Sequence, residues 1–166
     1  MIIQINISKG FYLQVKKPDN SFLYTCGRLF TMNKDFYIVS QEGYRLIGPI
    51  KLPAISEPYY IKVNEKGELF VLLNGNWVEN GQIMAISFFN AESLKNIGDE
   101  YYEETNNSGR PNIGRPGEGS FTNAKTYGFL QGFGRKRPRA VLNIINLRKI
   151  GDFIIKMRRI YANMSQ

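Results

Sequence analysis

Four carboxylates fall within six residues of this chain, Asp99, Glu100, Glu103 and Glu104, with Tyr101 and Tyr102 set between them. Crowded acids are the raw material of a cation site, because hard divalent ions take carboxylate oxygens. A calcium loop, however, places its acids at alternate positions inside a tight glycine-bearing turn, and that pattern is missing here. Residues 99–105 read as a strand, and a strand divides its side chains between two faces, so the four acids do not converge. The stretch therefore reads as a solvated strand edge with no metal ligand and no cofactor. Its continuation, NNSGRPNIGRPGEG, is rich in turn residues and reads as an exposed loop. NEKG at 64–67 is a turn, and GRPGEG at 114–119 lacks the Lys-Ser/Thr of a phosphate loop.

Other chemistry is scarce. The 166 residues include no histidine, which removes the commonest general base and transition-metal ligand. Catalysis would have to run on carboxylates, Lys or Tyr, and no convergent polar cluster is legible, so the chain does not read as an enzyme. The single cysteine, Cys26, permits neither an internal disulfide nor a Cys-based zinc site and reads as a half-buried strand residue. The strongest charge signal is RKRPR, in which Arg135, Lys136, Arg137 and Arg139 form a candidate basic patch. The formal charge is +8, yet up to Gly134 there are 13 basic and 13 acidic residues, and from Arg135 onward nine basic residues and one acid, Asp152. A neutral body carries a basic tail. Such a patch could grip phosphates, but only Phe133 is near to stack on a base, which disfavours nucleic acid as a partner.

The elements that must position these residues are mostly strands. Hydrophobic content is 43% and aromatic content 13%, enough for a real core. IIQINI alternates with period two, and FYLQV, SFLYT, DFYIVS, YRLIG, YYIKV, ELFVLL and QIMAISFF come after it, separated by the turns PDN, MNKD, QEG, NEKG and NGN. Strands at this spacing predict an antiparallel β domain over residues 1–133, with LPAISEP as a proline-bounded crossover. One short helix is expected from an Asn90 cap through Leu94 and Ile97, facing inward, to Gly98. From Pro138 the period changes. Ile144, Leu147, Ile150, Ile154, Met157 and Tyr161 recur at three- and four-residue steps, the apolar stripe of an amphipathic helix in a basic segment, 134–166. That stripe is the candidate subunit-packing surface, suited to a membrane surface, an acidic partner or a bundle of like helices. No apolar run approaches the roughly 20 residues of a membrane span, and the N-terminus lacks the marks of a cleaved signal peptide.

The order of motifs resembles the flagellar rod and hook proteins of bacteria, nearest to the distal rod branch, from about Ile2 to Gly132. A Gly-aromatic-aromatic start is matched by Gly10, Phe11 and Tyr12, a Pro-Asp turn by Pro18 and Asp19, and a Tyr-Thr by Tyr24 and Thr25, with Phe30 at the expected spacing. A Ser-x-x-Gly-Tyr element is matched by Ser40, Gly43 and Tyr44, ahead of the crossover IKLP. Next in order are Gly67, Gly81, Phe88 or Phe89 with Asn90, Leu94, Gly98, Tyr101 or Tyr102, the Thr-x-x-Ser-Gly of Thr105, Ser108 and Gly109, Pro116-Gly117, and GFLQG at 128–132.

The resemblance implies a structural subunit of the basal-body rod that packs against other rod and hook subunits and against copies of itself to transmit torque. It also implies the periplasmic rod as location, reached by type III export, or the cytoplasm if the chain is not exported. Relative to the family, the first amphipathic helix and rod-type segment are not seen, and FGRKRPR replaces a Ser-Asn pair. The expectation is an N-terminally truncated or decayed copy with a divergent C-terminal helix. The competing expectation is a basic-tailed protein that holds nucleic acid or an acidic surface through Arg135–Arg139.

Overall fold

In the computed structural model, residues 2–50, 52–54 and 60–130 are described. The 134–166 segment, with the expected C-terminal helix, its stripe and the RKRPR patch, lies outside them, as does most of the LPAISEP crossover.

The described residues are almost wholly antiparallel β. The strands are β1 (Ile3–Ile7), β2 (Leu13–Lys16), β3 (Phe22–Thr25), β4 (Gly27–Met32), β5 (Ile38–Ser40), β6 (Arg45–Leu46) and β7 (Ile61–Val63). They continue as β8 (Glu68–Leu73), β9 (Asn76–Gln82), β10 (Ala85–Ser87), β11 (Lys95–Gly98), β12 (Tyr101–Glu103), β13 (Asn112–Gly114) and β14 (Thr126–Leu130). A nine-stranded sheet runs β11-β12-β3-β2-β6-β5-β4-β1-β14, beside a three-stranded sheet β7-β8-β9 and a ribbon β10-β13.

The large sheet cannot lie flat. β3 and β4 stand four places apart in it, yet Cys26 alone separates them in the chain. The sheet must therefore roll until the end of β3 meets the start of β4. Thr25 makes the corner: its buried hydroxyl donates to the Gly27 carbonyl at 3.3 Å and accepts from the Gly27 N–H at 3.4 Å. The Ile7 N–H then donates to the Cys26 carbonyl at 2.9 Å, fastening the corner to β1. Cys26 itself is exposed at this turn rather than half-buried in a strand. Desolvation of its sulfur and the Glu100 carboxylate raise the thiol's pKa, which disfavours the reactive thiolate.

Rolling puts one face of each strand inside. β1 shows the alternation its sequence predicts, with Ile3, Ile5 and Ile7 buried. Leu13, Val15, Leu23 and Phe30 join them from the large sheet, and Ile61, Leu69, Val71 and Ile83 from the region of the small one. Burying each such side chain contributes about 1.5–3 kcal/mol before entropy costs. The small sheet docks through the NEKG turn. The Asn64 side chain accepts from the N–H groups of Lys66 and Glu68 at 3.1 and 3.0 Å, and its carbonyl accepts from the Thr126 hydroxyl at 2.6 Å. Gly67 has φ +81, and a Cβ there would stand 2.5 Å from the Ile83 carbonyl oxygen. Gly128 of β14 lets β7 close in, since a Cβ there would stand 2.6 Å from that of Val63.

The expected helix over 90–98 is a correction. Only a 3-10 turn forms, at Ala91–Ser93, after which the chain extends as β11. Leu94 is buried as expected, but Ile97 is exposed. The reason is pairing: Lys95, Asn96 and Gly98 stand opposite Glu103, Tyr102 and Tyr101, and a ladder satisfies more backbone groups than one weak turn could. Asn90 makes no side-chain bond to the backbone of that turn; its amide donates to the Ser93 hydroxyl at 2.7 Å. β4, β9, β11 and β13 are strands that the sequence pattern did not single out.

Two substitutions test this construction. Gly67→Ala meets both a left-handed backbone and a carbonyl oxygen and is expected to destabilise by about 2 kcal/mol or more. Thr25→Val keeps the volume and removes the corner's hydroxyl, with an expected cost of about 1–3 kcal/mol. Urea denaturation of each variant reads both values.

Candidate subunit-contact surface

The acidic stretch is a hairpin. Gly98 ends β11 with φ +95, and Asp99 and Glu100 make the turn with φ +50 and +62, both left-handed. A two-residue turn of this hand matches the twist of the strands it joins, but non-glycine residues enter it at a cost. Asp99 and Glu100 thus belong to the turn and not to the strand expected over 99–105. The four acids are used separately. Glu103 faces Lys95 across the hairpin at 3.8 Å, and Glu104 accepts from the Tyr24 hydroxyl at 3.4 Å. Among the described residues no three metal-binding side chains gather.

The tyrosines are anchors. Tyr101 is buried, with its ring against Tyr44 at 5.5 Å between centroids and the Arg28 guanidinium 4.4 Å over it. Its hydroxyl donates to Glu42 at 2.8 Å. Arg28 also pairs with Glu42 and donates to the Asp99 backbone carbonyl. Burial raises the Tyr101 pKa, and of the smaller influences its bond to Glu42 raises it further, so that it is pushed up to about 12. Burial opposes ionisation of Glu42 as well. Hydrogen bonds from Ser40 and Tyr101 and the charge of Arg28 outweigh it and hold the carboxyl below its ordinary value.

A second aromatic group carries the segment before the hairpin. Tyr24, Ile86, Phe88 and Leu94 are buried together, with Tyr12 and Tyr102 against them. Phe88 meets Tyr24 edge-on at 4.8 Å and Tyr12 at 5.8 Å, and Tyr12 meets Tyr102 at 5.7 Å. The backbones of Tyr12 and Ile86 exchange two hydrogen bonds of 2.9 Å, which brings β10 to the large sheet. Tyr12 of the Gly-aromatic-aromatic start and Phe88 of the Phe-Phe-Asn run are thereby parts of one packed unit.

The Thr-x-x-Ser-Gly run is a clasp. Ser108 is wholly buried, and its hydroxyl accepts from the Thr105 N–H at 2.9 Å and lies 2.9 Å from the Thr105 carbonyl. The Thr105 hydroxyl donates to the Ser93 carbonyl at 2.8 Å and accepts from the Ser108 N–H at 3.1 Å. The Asn90 N–H donates to the Ser108 carbonyl at 3.2 Å. A loop that its composition leaves free is in fact tied at its base to the 3-10 turn. Around this frame large apolar side chains stand in solvent: Phe89, 95% exposed, Ile113, 54%, and Ile97, 41%. They are candidate subunit contacts, and their exposure depends on tertiary position, so that Ile97, expected from the sequence to face inward, stands outside. The candidates named from sequence, Ile144 to Tyr161 and Arg135 to Arg139, all lie outside the described residues.

Burial also raises the pKa values of Tyr12 and Tyr24. In all three tyrosines the folded state holds the proton more firmly than the unfolded chain, whose phenols titrate near 10.0. Their contribution is therefore intact below that value and is lost as pH rises through their raised pKa values, about 12 for Tyr101. Glu42 works in the opposite sense: its contribution is present above the ordinary carboxylate range and fades as pH falls through its lowered pKa. Urea midpoints taken across this range should fall at the alkaline end. Tyr101→Phe should make that fall shallower while costing about 1 kcal/mol at neutral pH.

Comparison with known proteins places this architecture. Residues 7–71 match the family model described as the flagellar hook protein FlgE/F/G D1 domain. The chain is 26% identical over 145 residues to the flagellar basal-body rod protein FlgG of Agrobacterium fabrum, covering 86% of this chain and 54% of that protein. It is 30% identical over 134 residues to the protein of the same name from Bacillus subtilis, covering 78% and 50%, and 30% identical over 115 residues to that of Buchnera aphidicola from Acyrthosiphon pisum, covering 68% and 44%. The chain thus spans about half the length of these relatives. Through its β domain the chain belongs to the flagellar rod and hook protein family.

Proposed function

We propose that the chain is a distal-rod-like structural subunit that assembles by packing against rod and hook subunits and against its own copies, and that it transmits torque rather than catalysing a reaction. One observation carries this reading: the stretch matched to the hook D1 domain, residues 7–71, contains the whole strand order that forces the large sheet to roll. The family-defining segment is thus the part that makes the body stiff. Clasped loops suit that role, since a load-bearing contact needs side chains held in place before a partner arrives. The axial structure of the basal body, entered by flagellar export, is the corresponding location. No cofactor is required.

Assembly is assigned to the C-terminal stripe of Ile144, Leu147, Ile150, Ile154, Met157 and Tyr161, on the strength of its periodicity in the sequence. Burying such side chains against a partner contributes roughly 1.5–3 kcal/mol each before entropy costs, whereas exposed ion pairs contribute about 0–1 kcal/mol. Ile154→Asp should abolish self-association and binding to rod subunits, because it places a charge in the seam. Replacing Arg158 and Arg159 with Gln should change association only modestly. Sedimentation at low and high salt reads both. Association that survives Ile154→Asp, but collapses with salt or with loss of the arginines, would overturn the packing mechanism and make the tail an electrostatic arm.

A further inference from the structure

The β11–β12 hairpin is attached to the rest of the sheet by little backbone pairing. Within the sheet β2 meets β3 at four register pairs and β1 meets β14 at five, whereas β5 and β6 share one. β12 meets β3 at one, Tyr102 opposite Tyr24. β11 is exposed at all four residues and ends the sheet. The turn joining them holds two non-glycine residues in the left-handed region. Backbone pairing therefore contributes little to holding the hairpin down.

Side chains from other strands do that work instead. Arg28, from β4 on the far side of the rolled sheet, bonds the Asp99 carbonyl at the turn and covers the Tyr101 ring. Glu42, in the β5–β6 turn, takes the Tyr101 hydroxyl and fixes Arg28. Arg28 touches the turn, the Tyr101 ring and Glu42, and its side chain is only 13% exposed.

We propose that the β11–β12 hairpin is a strap over the edge of β3 that opens as a unit, with Arg28 as its latch. Opening bares the backbone groups of Phe22–Thr25 on the side β12 covers and frees Tyr102 from Tyr12, while the three-stranded sheet and β1 stay folded. The device depends on contacts within this chain and stands whether or not the chain enters a rod.

Hydrogen exchange by mass spectrometry on the full chain tests it, because a locally opened segment keeps every contact it does not break. Val71→Ala, in the core of the small sheet, should speed exchange of the β1 and β8 amides about tenfold or more and leave residues 95–103 unchanged. Arg28→Met should speed residues 95–103 by about tenfold or more, since a charge-assisted bond to the turn is lost. Arg28→Lys keeps the charge but not the fork that reaches both Asp99 and Glu42, and should also speed them. If Val71→Ala accelerates the hairpin as much as the core, the hairpin opens only with global unfolding and the strap is refuted. If neither Arg28 variant moves the hairpin amides, the latch is refuted.

Discussion

A single constraint governs this molecule: two strands adjoining in the chain without a loop must occupy places four apart in one sheet. Only a rolled sheet can satisfy it, and the Thr25 hydroxyl, bonded to both backbone groups of Gly27, sets the bend. Once rolled, the sheet has an inside, and the alternation of β1 becomes burial on one face, while β2 and β3 are buried on both. The ordinary right-handed twist of strands favours the same curvature, so the corner adds to a tendency already present. The small sheet then covers the opening at β14, where Gly128 yields space to Val63.

Rolling creates a need for ties. Short strands leave many chain reversals, and each must hold its backbone groups without a long helix to anchor it. The chain does this with small polar side chains at the base of loops. Asn64 holds the NEKG turn and joins it to Thr126. Thr105 and Ser108 hold the glycine-rich loop against the 3-10 turn. Each is a polar group with its partners present, which is why loss of one would cost more than the bond itself is worth. Among the described residues, no buried side-chain polar atom lacks a partner.

The family's shared motifs take on physical meaning in this light. Gly10, Phe11 and Tyr12 precede β2 and supply a ring to the second aromatic group. The Thr-x-x-Ser-Gly run is a clasp. Phe89 and Ile113 stand exposed beside these ties, whereas exposed Ile97 lies on the β11–β12 hairpin.

The sequence alone determined the class of fold and the family. Period-two runs such as IQINI and ELFVLL, broken by Asn-Gly and Pro-Asp turns, are local facts that survive any packing, and so they were legible. The even charge of residues 1–134 was legible for the same reason. The supposed helix at 90–98 and the strand at 99–105 were not, because both turned on whether Lys95–Gly98 had a pairing partner, and that partner is chosen by the sheet. Tyr101 and Tyr102 were legible only as aromatic residues set among acids. That Arg28 and Glu42, 71 and 59 residues away from the groups they bond, would close over Tyr101 was decided only when the sheet rolled. Local pattern fixes what a segment can become; contacts distant in the chain select which of those states it keeps.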